Sequence, residues 1–335
     1  MRVGIPRGML FYHYYPLWRT FFSELGAETA VSPATNKEVL GRGVAEAVDE
    51  TCLPVKIFYG HVAWLLERGI DVVFVPRLVS VEKGAYICPK LLGLPDMIRN
   101  HFRLDGKIID VTVNLNRKPR QLYRAVYETG RLFTKRPDCI YRAFCRGLEC
   151  LKQYEKLLQR GLWPEEALAV MENRSGSREE KEKEGERLNL ALIGHVYNLY
   201  DGYASMNLLT KLNRMGVRVF TPETLPWYLI QQRAATLPKP LFWTLGKRMV
   251  GAAFHYLADP TIHGVIYYVA AFGCGPDSFT ADIVSRQARR LRKPFLLLTV
   301  DEHSGEAGLV TRLEAFVDMV RWRLEKDENN LPAHG

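Results

Sequence analysis

The chain has 335 residues, 47% of them apolar and 25% charged, which are the proportions of a globular protein long enough for two ordinary domains. No apolar run has the length of a membrane span, and the N-terminus opens a strand, Val3-Gly4-Ile5, rather than a signal peptide, so a cytoplasmic protein is expected. Six cysteines in a cytosolic chain of this length are not a disulfide framework, so any special role for them is metal or redox chemistry.

The formal charge of +9 is spread along the chain. Its densest cluster, Arg286, Arg289, Arg290, Arg292 and Lys293, reads as the solvated face of a helix. The alternative is a docking surface for an acidic partner or a phosphate-bearing substrate. No motif supports nucleic-acid binding.

Residues 1–118 alternate strand and helix. A strand opens the chain at 2–7, an amphipathic helix at 16–25 ends on Gly26, and a second strand follows at 28–32. Helices at 37–50 and 53–68 lead to the apolar strand 71–76, and 107–111 is the last strand of this part. Strands that are apolar throughout and separated by helices indicate a parallel sheet covered on both faces. From 119 to about 173 the pattern is helical only, and 174–187 is a stretch of interleaved Glu, Lys and Arg that reads as a linker.

The last part repeats the outline of the first, with strands at 188–194, 217–220, 264–271 and 294–300 and helices at 225–232, 241–258, 280–292 and 309–324. The expected fold class is α/β, with two doubly wound parallel-sheet domains, 1–118 and 188–335, joined by the helical segment and charged linker 119–187. No sequence repeat is strong enough to claim duplication.

Three cysteines share a setting that the others lack. Cys274 lies in Gly273-Cys274-Gly275-Pro276-Asp277-Ser278-Phe279, between an apolar strand and a helix. Cys52 lies in Glu50-Thr51-Cys52-Leu53-Pro54, and Cys88 in Tyr86-Ile87-Cys88-Pro89-Lys90. Proline within two residues suits the first turn of a helix, so each thiol is expected at a helix N-terminus, where the dipole favours thiolate. In open α/β sheets such turns converge at the carboxyl ends of the strands. Three thiolates aimed into one cleft need a cation, and three rather than four would leave a coordination position open.

The plainer reading is a set of tight turns with incidental buried thiols. Cys139, Cys145 and Cys150 fall in the helical segment without such turns and read as packing residues.

Polar groups cluster at other predicted strand ends and are candidates for proton or hydrogen-bond donors: Lys56 after Cys52, Arg77 after the 71–76 strand, His195 after the 188–194 strand, and His303 after the last strand. His61 and His255 are weaker candidates. Each alone also fits a helix cap or an ion pair. No Gly-rich phosphate loop is present, so nucleotide binding by this chain itself is not expected.

The motifs Gly4-Ile5-Pro6-Arg7, Tyr15-Pro16-Leu17-Trp18, Cys52-Leu53-Pro54-Val55-Lys56, Gly60-His61, Pro76-Arg77 and Cys88-Pro89-Lys90 resemble one group of proteins. So do Gly93-Leu94-Pro95-Asp96, Cys274-Gly275-Pro276-Asp277-Ser278 and Asp301-Glu302-His303-Ser304-Gly305-Glu306-Ala307-Gly308. The group is that of the 2-hydroxyacyl-CoA dehydratase and benzoyl-CoA reductase subunits, and within it the branch fused to, or found beside, the ATP-dependent activase.

The resemblance implies an iron–sulfur cluster between two α/β domains, reduced at low potential by an ATP-hydrolysing activase. It makes Cys52, Cys88 and Cys274 the ligands of a [4Fe–4S] cluster. A double-cubane [8Fe–9S] cluster would need further thiolates from Cys139, Cys145 or Cys150, whose helical context argues against it. The implied activity is reductive chemistry at an open iron. The rivals are a 2-hydroxyacyl-CoA dehydratase component, a non-catalytic cluster carrier and a zinc-bound structural protein. The partners implied are the activase and a small-molecule substrate, with a homodimer as an option and no membrane or nucleic acid.

Overall fold

The computed structural model describes residues 1–116, 120–174, 188–270 and 274–329. Most of the charged stretch 174–187, and Gly273 of the Cys274 motif, lie outside the described residues.

The N-terminal lobe runs β1 (Arg2–Ile5), α1 (Phe11–Glu24), β2 (Glu28–Val31), α2 (Lys37–Glu46), α3 (Leu53–Leu66) and β3 (Val72–Phe74). It continues with β4 (Arg77–Ser80), α4 (Pro89–Phe102), β5 (Ile108–Ile109) and β6 (Thr112–Asn114). Three helices follow: α5 (Arg120–Gly130), α6 (Pro137–Gln159) and α7 (Pro164–Met171).

The C-terminal lobe runs β7 (Leu188–Ile193), α8 (Val196–Leu199), α9 (Leu208–Arg214), β8 (Val217–Phe220) and a 3-10 turn, Pro222–Thr224. It ends with α10 (Trp227–Ala234), α11 (Thr244–Ala258), β9 (Gly264–Val269), α12 (Gly275–Arg290), β10 (Phe295–Thr299) and α13 (Glu306–Asn329).

The architecture is α/β with parallel sheets, as the apolar strands require. The first main sheet has the order β2-β1-β3-β5 and the second β8-β7-β9-β10, so each lobe reads 2-1-3-4 by its own strands. Every pair in both sheets is parallel. In each sheet the order reverses between the first and third strands, where an open α/β sheet leaves a crevice at its carboxyl end. The central strands β7 and β9 are buried on both faces, which explains their near-continuous apolar sequence.

The small parallel pair β4-β6 carries the β3-β5 ladder past a break. Backbone bonds from Val75 to Ile109 and from Arg77 to Val111, each 2.9 Å, bracket Pro76, which has no N–H to give. Arg77 to Ser80, beyond the expected end of the 71–76 strand, are therefore themselves a strand. This extension carries the chain out to Cys88.

Helix α1 starts five residues before the expected position and contains Pro16 within it. A proline there leaves the carbonyl of Tyr12 without its helical donor. The hydroxyl of Tyr154 on α6 donates to that oxygen at 2.9 Å. The helical segment is thus packed against the N-terminal lobe. One apolar cluster runs from Ile5 and Phe22 through Ile140 and Phe144 to Leu192, Tyr268 and Phe316, so both lobes and the segment share a core.

Helices α2 and α3 approach closely enough to need glycine on each side. A Cβ on Gly60 would lie 1.9 Å from the Val39 carbonyl oxygen, and one on Gly43 would lie 1.9 Å from that of Lys56. The basic cluster is a solvent-facing helix end. Arg286, Arg289, Arg290 and Arg292 are exposed, while the Lys293 ammonium turns back to the Asp259 carbonyl at 2.9 Å. No helix among the described residues is long and apolar enough to cross a membrane.

Candidate functional site

Cys52, Cys88 and Cys274 are the N-cap residues of α3, α4 and α12, each helix with a proline in its first two positions. All three thiols are free and half-buried, and all three line one cavity between the lobes. The routes by which they arrive differ from the expectation. Only Cys274 comes from beyond the carboxyl end of a main-sheet strand, β9. Cys52 sits in the turn between α2 and α3, and Cys88 in the loop beyond β4.

The cavity is small, about 60 Å³, which is room for roughly two waters. Among the described residues no group of three or more His, Cys, Asp or Glu side chains could hold a metal ion.

The helix N-termini do not make Cys52 and Cys274 thiolates. Burial, the Asp277 carboxylate and the other two sulfurs push the Cys274 thiol up to about 12, against the nearby Asp277 N–H, which favours the charged form. Burial and the Cys88 sulfur likewise raise Cys52, while the Val55 N–H and the Lys90 ammonium act in the opposite direction. Without a bound cation Cys52 and Cys274 are therefore held toward the neutral thiol. Desolvation and mutual repulsion outweigh the dipole contribution of the helix ends.

His195, the residue after Gly194 at the end of β7, reaches the same cavity. Its Nε2 donates to Asp277 Oδ1 at 2.9 Å, and its ring stacks on Tyr197 with centroids 4.9 Å apart. Burial pushes the Asp277 carboxyl up, but the His195 charge and hydrogen bond, with a contact from Cys274, bring it below the ordinary carboxylate value. Burial foremost, and then the acidic groups around it, keep the Tyr197 hydroxyl protonated. Asn198, 2% exposed, lines the cavity with its Oδ1 unpartnered among the described residues.

The other proposed donors lie elsewhere. The Lys56 ammonium is buried in an ion pair with Glu302 that joins the lobes. Arg77 grips Asp96 with two bonds of 2.7 and 2.6 Å, in a network that continues through Arg99 to Asp110. The His303 side chain is 84% exposed. None of these three lines the cavity.

His61 is fully buried and bonds Thr35 at 3.1 Å, and Thr35 in turn donates to Asp201 of the other lobe. His255 lies at a separate surface cleft. Cys139, Cys145 and Cys150 are half-buried along α6, and none lines the thiol cavity.

Asp277, Tyr197 and Asn198 were not singled out as site residues. Asp277 could have been found from its place three residues after Cys274, where the first turn of the helix turns its side chain back toward the cap. Asn198 sits three residues after His195, one helical turn on, which is a weaker signal.

The fold and the site define an α/β protein of two parallel-sheet lobes that enclose a thiol-lined cavity. The family model described as "CoA enzyme activase uncharacterised domain" matches residues 2–225, and the chain belongs to that family. The matched span contains Cys52, Cys88 and His195 and ends before Cys274. No curated protein matches the chain.

Proposed function

We propose that Cys52, Cys88 and Cys274 hold a [4Fe–4S] cluster with one iron left without a protein thiolate, and that the chain receives low-potential electrons from an ATP-hydrolysing activase for reductive chemistry. The observation that carries this reading is the convergence of three free thiols from both lobes on one cavity. A cation would favour the thiolates and relieve the repulsion that otherwise raises Cys52 and Cys274.

The all-thiol donor set suits iron–sulfur ligation. The cavity is too small as it stands, so loading requires its rim to move outward. Lys90 and Cys274 at that rim are not fully buried.

When bound, the cluster supplies one-electron reduction and an open coordination position. The chain supplies the rest. His195, fixed by Asp277 and Tyr197, and the protonated Tyr197 hydroxyl are proton-bearing groups on the cavity wall, and the Asn198 amide offers a polar contact. An electron-carrying role without turnover is the second reading, favoured by the small volume of the thiol cavity, about 60 Å³.

The test is an iron and sulfide count with EPR on anaerobically purified protein. About four irons per chain, lost in Cys52→Ser, Cys88→Ser and Cys274→Ser, is the expected result. The combined Cys139→Ser, Cys145→Ser and Cys150→Ser variant should keep them. An iron-free protein, or iron lost in that combined variant, overturns the ligand set. About eight irons would point instead to the double cubane.

A further inference from the structure

A second cavity, about 340 Å³, lies on the other side of Leu245 from the thiols. Its volume is within the range of small-molecule sites. The two cavities share a wall in sequence as well as in space. In the loop beyond β4, Ile87 faces the second cavity and Cys88 the first, and in α11 Leu245 faces both. Thr244 anchors this wall across the lobes, its N–H donating to the Tyr86 carbonyl at 2.9 Å.

Three polar atoms of residues on the second cavity lack a hydrogen-bond partner among the described residues, Thr244 Oγ1, Glu82 Oε1 and Arg248 Nε. Thr244 is 6% exposed, and its Oγ1 is buried and unpartnered among the described residues. Lys247 Nζ donates to Glu82 Oε2 at 2.7 Å, and Glu82 Oε1 is likewise buried and unpartnered among the described residues. An unpaired buried carboxylate oxygen and an unpaired hydroxyl together are costly to keep and call for a donor from outside.

Of the charged groups on the cavity, Glu82 is matched by Lys247 and Arg248 by Glu223 at 3.4 Å, and burial pushes His13 and Glu155, also on its wall, toward their neutral forms. A ligand that brought a full charge would disturb that balance. The remaining wall is apolar or aromatic, including Trp227 and Leu10.

We propose that this second cavity binds a small uncharged molecule that carries an amide or hydroxyl donor, of roughly ten non-hydrogen atoms, with its donor on Glu82 Oε1 and Thr244 Oγ1 and its apolar part against Leu245. The further role as the substrate site of the reductive chemistry rests on the thiol cavity holding the cluster; the binding itself does not.

The probe is benzamide, with benzoate as the charged counterpart, followed by ligand-observed NMR on the full chain. Benzamide should bind the wild type, and benzoate about ten-fold more weakly, because its carboxylate meets that of Glu82. Thr244→Val should weaken benzamide about five-fold or more, while Thr244→Ser, which disturbs the packing but keeps the hydroxyl, should retain it. Cys52→Ser should bind benzamide as the wild type does.

No binding to the wild type, equal binding of benzoate, or equal binding to Thr244→Val overturns the proposal. Wild-type protein that binds benzamide but carries no iron after anaerobic purification sinks the cluster reading alone. Wild-type protein that carries the iron but does not bind benzamide sinks the cavity alone.

Discussion

The two lobes share a strand order and use it differently. In the N-terminal lobe the switch point between β1 and β3 is closed by Pro6, Gly8, Phe74 and Pro76, around a gap of about 30 Å³. That is room for one water. In the C-terminal lobe the equivalent point, between β7 and β9, presents His195 and leads to Cys274 on the thiol cavity. The N-terminal lobe brings its two thiols to that cavity from additions to its sheet, the turn between α2 and α3 and the strand extension past Pro76. Topology marks where a crevice can form; the side chains that follow the strands decide whether it is sealed or used.

The comparison can be broken most severely at the N-terminal addition. Gly60→Ala would place a methyl 1.9 Å from the Val39 backbone and force α2 and α3 apart. A loss of about 3 kcal/mol is expected in urea unfolding, together with a fall in bound iron as the Cys52 turn moves. An unchanged urea midpoint would mean that the helices do not approach so closely.

Lys56→Met acts between the lobes, leaving Glu302 largely buried without its partner. The expected cost is about 3 kcal/mol. Lys56→Met combined with Glu302→Leu should recover most of it, and full additivity of the two changes would show that the pair is not coupled.

The polar contact at His61 tests the same boundary by pH. Burial, and then the Arg7 charge, hold this imidazole down to about 3. Its native value lies below the unfolded one, near 6.5, so the unfolded chain takes up the proton first. Its contribution is complete above about pH 6.5 and is lost as the pH falls toward the native value, by about 2 kcal/mol at pH 5. His61→Gln should flatten the stability profile between pH 7 and 5; an equally steep profile in the variant would assign the loss to other groups. The smallest effect is expected at His303, where an alanine should change stability by under about 0.5 kcal/mol and leave iron content unaltered.

Much of this fold was legible because its strands carry their own signal. β7, β8, β9 and β10 fall within the runs that predicted them; the central β7 and β9 are nearly continuous in apolar residues because both their faces are buried, while the edge strands β8 and β10 are only partly buried. The start of α1 was not legible, because the residue that rescues the carbonyl orphaned by Pro16 is Tyr154, more than a hundred positions away. At the candidate site the proline after each thiol marked Cys52, Cys88 and Cys274 as helix caps. Reading Lys56, Arg77 and His303 as companions of the thiols rested on sequence proximity to strand ends. Proximity of that kind says nothing of which way a side chain leaves the helix or strand.

Sequence alone determined the α/β class, the parallel strands and the three capped thiols, because periodicity, proline position and local turn chemistry act over a few residues. Only the tertiary structure decided that thiols from two lobes meet at one cavity, that Asp277 and Asn198 stand beside them, and that burial raises Cys52 and Cys274. Desolvation and charge repulsion depend on what packs around a group, and those neighbours come from distant parts of the chain.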